Sequence, residues 1–162
     1  MLAGTRGPTR RREGVEMQTF DAGKVVRTLI VRFDYGDLLL EGIKAVIETE
    51  GIETGYVTAG IGTFDRCRMH MITTTGFPPQ DRIVEMEGPI ELIGLAGFIA
   101  GGEPHLHMTV SDTERAYGGH LEPGSRVLYL GEVRIDVLSE PGFVRRPHPE
   151  RRTAQLQKDV GR

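Results

Sequence analysis

Residues 102–124 read GEPHLHMTVSDTERAYGGHLEPG and hold three of the chain's five histidines. Side chains on a strand alternate between its two faces. In PHLHMTVSD the apolar Leu106, Met108 and Val110 therefore share one face, and His105, His107, Thr109 and Ser111 share the other. The first set faces a core, which turns the histidines toward solvent, a cleft or another subunit. A turn made of TE or DTER would place Ser111 opposite Ala116, His107 opposite His120, and His105 on the diagonal. Opposed side chains lie about 4.5–5.5 Å apart at Cβ, so the three imidazoles can then converge. A three-residue turn would throw His120 to the other face. Three neutral imidazoles with an open fourth position suit Zn²⁺, and Ni²⁺ or Cu²⁺ by ligand type. The plainer alternative is a row of polar strand residues at a solvent or subunit surface.

Outward from this hairpin the chain keeps the same character. KVVRTLIVRF, residues 24–33, is β-branched and alternating, a strand. Residues 34–37 make a turn, with Asp37 placed to cap a helix. Leu39, Ile43, Val46, Ile47 and Glu50 then recur at helical spacing, and Gly51 is a natural stop. Residues 53–74 predict two strands around a small-residue corner at 59–62, with Cys67, Met69 and Met71 on one face. DRIVEMEGPIELIGLAGFIA, residues 81–100, is strand material broken at Gly88-Pro89, and a last long strand covers 127–138. From Ser139 onward Pro, Arg and Gln take over, and ordered structure is expected to end. One helix among many strands predicts an α+β domain: a mainly antiparallel mixed β-sheet packed on one principal helix. The expected organisation is a disordered basic tail at 1–16, a single domain at 17–144 and a basic Pro/Arg-rich tail at 145–162. Met17 would serve as a start as well as Met1.

The formal net charge of −3 conceals an uneven distribution. Residues 17–144 hold ten basic and nineteen acidic side chains, a balance of −9, between basic ends. Such a body is a poor surface for gripping a duplex, which leaves nucleic acid, if any, to the ends. The single cysteine excludes an internal disulfide and points to a reducing cytoplasm. PIELIGLAGFIA is interrupted by Glu91 and falls short of the ~20 residues of a membrane span. Cys67, among core-facing methionines, reads as a buried structural thiol despite its neighbours Arg66 and Arg68. His70 lies on an Arg-bearing strand face and His148 in a Pro/Arg segment, which sets both aside as ligands. Glu85 and Glu87 read as solubilising. Glu103, beside the histidines, and Glu122 are the candidates for a general base.

EGPIELIGLAGFIAGGEPHLHMTVSD running into YGGHLEPGSRV, with the glycine corner at 57–63, resembles the PPC (plants-and-prokaryotes-conserved) domain over about residues 25–138. The resemblance rests on an ordered set: the corner, a Glu-Leu-x-x-Leu-x-Gly strand at 91–97, an H-L-H strand and a G-G-H-L segment. It implies a compact α+β subunit that assembles as a homotrimer, with a metal, often zinc, held near the subunit contacts. Carried over residue by residue, the implied ligands are His105, His107 and His120. The chain departs from the pattern twice. Thr113-Glu114-Arg115 stands where a turn glycine is common, and Phe98 where an Asn is common. The Arg-Gly-Arg-Pro core of the AT-hook is absent from both basic ends. The leading expectation is thus a trimeric protein with a three-histidine divalent-metal site. The alternatives are a DNA-associated regulator acting through its basic ends, or a metal-dependent enzyme on a small molecule in an inter-subunit cleft.

Overall fold

The computed structural model describes residues 17–159. In chain order it comprises β1 (Val25–Phe33), α1 (Leu39–Thr49), β2 (Thr54–Ile72), β3 (Asp81–Ala100), β4 (Glu103–Ser111), β5 (Ala116–Leu121), β6 (Arg126–Leu138), β7 (Phe143–Pro147) and β8 (Ala154–Lys158). Six strands form one sheet in the order β1-β6-β2-β3-β4-β5, and β7 pairs with β8. Every pairing among the described residues is antiparallel. The α+β expectation of one helix on an antiparallel sheet holds. The basic tail expected at 1–16 lies outside the described residues.

Helix α1 buries Leu39, Leu40, Ile43 and Ile47, one stripe at helical spacing, against the sheet. Gly51, at φ +61°, ends it where a side chain would be strained. Asp37 does not cap it, contrary to expectation. Its Oδ2 accepts the Asp34 N–H at 2.8 Å and closes the preceding turn, while Leu39 N–H donates to Ser125 O at 2.9 Å. The neighbouring chain thus serves a donor that a cap would have served.

Two expected breaks are bends instead. β2 runs unbroken through residues 59–62, with register shifts between Val57 and Ala59 and between Gly62 and Phe64. β3 likewise continues through Gly88-Pro89, opposite a shift between Phe64 and Arg66. Bulges bend a strand without ending it, and the bend lets β2 serve two partners. Its first part pairs with β6 as far as Arg66, and Met69 and His70 pair with β5. Strands β2, β3, β4 and β5 therefore close into a ring around Phe64, Met69, Leu106 and Leu121, all buried.

On the sheet face away from α1 a row of opposed residues crosses five strands: Thr28, Asp136, Tyr56, Phe98 and His105. Asp136 is 5% exposed and accepts from Thr28 Oγ1 at 2.7 Å, Arg134 Nε at 3.1 Å and Thr58 Oγ1 at 3.3 Å. The Thr28 hydroxyl above all, with Arg134 and Thr58, holds the Asp136 carboxyl below its ordinary value. A depressed folded value gives stability that is present above the unfolded value near ~3.9 and lost as pH falls through the folded one. Asp136→Asn is expected to cost about 2 kcal/mol at pH 7, read by urea unfolding. The gap to wild type should close in acid, and a gap that persists there would contradict the assignment.

Structure does not end near Ser139. Residues 145–159, expected to be part of a solvated tail, belong mostly to the β7–β8 hairpin. Phe143 is buried and meets Phe20 edge-on at 5.9 Å, and Arg146 pairs with Asp159 at 2.8 Å. With Phe143, Val144, Ala154 and Leu156 set among Pro, Arg and Gln, the hairpin carries too weak a hydrophobic period to be read from sequence.

Candidate metal centre

The turn between β4 and β5 is even. Asp112 N–H donates to Arg115 O at 3.0 Å, and Asp112 Oδ1 accepts the N–H groups of Glu114 and Arg115, both at 2.7 Å. These backbone donors, Glu114 first, hold the Asp112 carboxyl below its ordinary value. An Asx-type turn thus closes the hairpin without a glycine. The resulting register sets Ser111 against Ala116 and His107 against His120, as the alternation and an even turn required.

Glycines let the strands close in. A Cβ on Gly97 would lie 2.1 Å from His105 O and 2.9 Å from Leu106 Cα. One on Gly119 would lie 2.7 Å from His70 O. Gly97 thus admits β4 beside β3, and Gly119 admits β5 beside β2.

Three imidazoles converge. Ring centroids are 5.2 Å apart for His105 and His107, 4.6 Å for His105 and His120, and 5.3 Å for His107 and His120. His105 Nε2 and His107 Nε2 are 3.3 Å apart, and one nitrogen from each of the three can be chosen with all pairs within 4.8 Å. His120 Nδ1 is buried with no hydrogen-bond partner. Burial, with the nearby charge of Arg145 and the other histidines, pushes His105 down to about 4. Burial first, then His70 and His107, lowers His120 as well. Both rings are neutral at pH 7 and keep a lone pair for a metal.

A fourth histidine joins them. β2 pairs with β5 so that His70 stands opposite His120, and their rings stack at 4.5 Å. His70 Nδ1 lies 2.5 Å from Glu122 Oε1. His70, His120 and Glu122 form a second group whose ligand atoms lie within 4.8 Å of one another, with His120 common to both. Sequence reasoning set His70 aside. Only the β2–β5 closure, between residues some fifty apart, brings it in.

The other candidates go elsewhere. Glu103 ion-pairs with Lys44 at 3.3 Å at the exposed start of β4. Glu85 pairs with Arg68 at 2.7 Å. His148 Nδ1 accepts the N–H groups of Glu150 and Arg151 in the β7–β8 turn. Cys67 is fully buried, and that burial pushes its thiol up to about 11, which fits a structural role. Arg145 of β7 is half-buried, and burial lowers its value from the ordinary one. No helix among the described residues is long and apolar enough to cross a membrane.

Residues 20–139 match the family described as the Plants and Prokaryotes Conserved (PCC) domain. The fold is similar to that of a metal-containing protein of Archaeoglobus fulgidus, with a TM-score of 0.75 and 21% identity, covering 88% of this chain and 100% of that one. A plant- and prokaryote-conserved (PPC) protein of Pyrococcus horikoshii superposes with a TM-score of 0.72 at 28% identity, covering 83% and 94%. A candidate DNA-binding protein of Bacteroides thetaiotaomicron gives 0.72 at 20% identity, again covering 83% and 94%. Among curated proteins, the bifunctional protein GlmU of a Synechococcus strain is 25% identical over 115 residues. That stretch is 70% of this chain and 17% of GlmU, so the match spans about a sixth of that relative.

Proposed function

The chain belongs to the Plants and Prokaryotes Conserved domain family, and from that premise we propose that His105, His107 and His120 hold a divalent metal ion, zinc by ligand type. The observation that carries the reading is the convergence of three imidazoles, one of which, His120, keeps a buried and unpartnered Nδ1. The donor set fits. His105 and His120 are neutral at physiological pH, and three imidazole ligands leave a coordination position open. A bound ion supplies Lewis acidity at that position. Around it, His70 stacks on His120, and the Glu122 carboxylate fixes the His70 ring through Nδ1. Such outer partners orient ligand rings and tune their basicity.

The protein is further proposed to assemble as a homotrimer. Ile30, Ile61, Ile93 and Leu130 are exposed. Ile30 and Ile61 lie in register with the exposed Arg134 and Glu132, on the sheet side that α1 leaves uncovered. A second reading, a metal-dependent enzyme acting on a small molecule, is favoured by Glu122, a carboxylate placed to accept a proton beside the cluster. The Bacteroides relative's name and the basic ends speak for nucleic acid, but much of the C-terminal basic stretch is folded into β7 and β8.

Metal analysis of protein stripped with chelator and reloaded with zinc tests the central reading. About one ion per chain is expected, by the one-ion, open-position logic of such sites. Protein that takes up none would overturn it.

A further inference from the structure

The β7–β8 hairpin lies beyond the residues that match the family, 20–139. It brings Phe143 and Leu156 to a cavity of about 170 Å³, which they line with Tyr56 of β2, Phe98 of β3, Leu138 of β6 and Phe20 from the segment before β1. Four of these six side chains are aromatic, and they come from four separate parts of the chain. Among the described residues, no charged side chain and no histidine lines the cavity.

The walls are fixed by contacts of their own. Tyr56 and Phe98 are opposed across β2 and β3, with their rings edge-on at 4.8 Å. Phe143 is 4% exposed, meets Phe20 edge-on at 5.9 Å and has Lys158 Nζ over its ring at 5.2 Å. The Arg146–Asp159 ion pair at 2.8 Å holds the two ends of the hairpin together. Walls arranged in advance lower the ordering cost of binding. Phe98 is 45% exposed, so the cavity reaches the surface beside this ring.

Three properties select the ligand. The volume suits a single six-membered ring, since a cavity of about 150 Å³ lined by Leu, Ile and Phe takes up benzene. A lining without charged side chains disfavours an ion, whose desolvation it would leave uncompensated. The aromatic walls favour an aromatic ring over an aliphatic one of the same size, because ring edges and faces attract beyond the area they bury.

We propose that the cavity between the β7–β8 hairpin and the sheet is a binding site for a small uncharged aromatic compound, one ring in size. The site is built without the histidine cluster, so it binds its ligand whether or not a metal is present.

The test is calorimetric titration of the full chain with phenol, with cyclohexanol as the non-aromatic ring of similar size and benzoate as the charged one. Each is run on zinc-loaded and on chelator-stripped protein. Wild type is expected to bind phenol with a dissociation constant below about 1 mM, and cyclohexanol and benzoate about 10-fold or more weakly. Phe98→Ala removes an aromatic wall at an exposed position, and Ala22→Leu adds bulk at another lining residue. Each should weaken phenol about 10-fold, and circular dichroism should show both variants folded. Wild type that does not bind phenol, or folded variants that both bind it like wild type, would overturn the inference. Cyclohexanol or benzoate binding as tightly as phenol would overturn the ligand class. Binding seen only with zinc would place the ring at the ion and overturn the site.

Discussion

His120→Ala is expected to lose zinc at every concentration at which wild type is saturated, a weakening of on the order of 100-fold or more, since even outer partners of metal ligands cost 10- to 100-fold. His120 is the member common to both groups of potential ligands, so its removal empties either arrangement. His107 belongs only to the first group and His70 only to the second. His107→Ala should therefore weaken zinc as His120→Ala does, whereas His70→Ala should cost less, about 10-fold, the low end of an outer partner's effect. Competition titration with a chromogenic chelator reads all three, and circular dichroism confirms that each variant is folded. Retention of full affinity in His107→Ala would move the ion to His70, His120 and Glu122.

Gly97→Ala is expected to damage fold and site together. Its Cβ would enter the backbone of β4 at His105 and Leu106, where no flexible side chain can move aside. Strands β3 and β4 must part locally, at a cost of about 3 kcal/mol, the upper end of ordinary overpacking. The displaced residue is His105 itself, so zinc affinity should fall in the fraction that remains folded. Gly94→Ala, on the same strand with open space around its Cβ, is the control and should leave zinc affinity intact. Thermal melts with and without zinc measure both effects. A Gly97→Ala protein as stable as wild type would mean that the strands are less closely apposed than described.

What was legible in the sequence was local. The alternation of Leu106, Met108 and Val110 against His105 and His107 gave the register of β4 and β5 on the condition of an even turn, which the structure has. The helix stripe at Leu39, Ile43 and Ile47 was readable for the same reason, a short period over a short span. Non-local pairing left no such mark. His70 meets His120 only because two bent strands close a ring, and residues 59–62 and 88–89 looked like breaks because glycine and proline signal bends and ends alike. Asp37 looked like a cap because its alternative partner, the Asp34 N–H, is a matter of side-chain rotamer. Arg145 lay in a segment whose composition argued for solvent, and only the pairing of β7 with β8 turns it inward.

The most direct measurement of the central claim is an anomalous difference map from crystals of the zinc-loaded protein, recorded on both sides of the zinc edge. The expected result is one peak per chain, within bonding distance of ring nitrogens of His105, His107 and His120, near the ~2.0–2.1 Å of zinc–imidazole bonds. A map without that peak, or a peak held by His70 and Glu122 with His105 and His107 unbound, would contradict it.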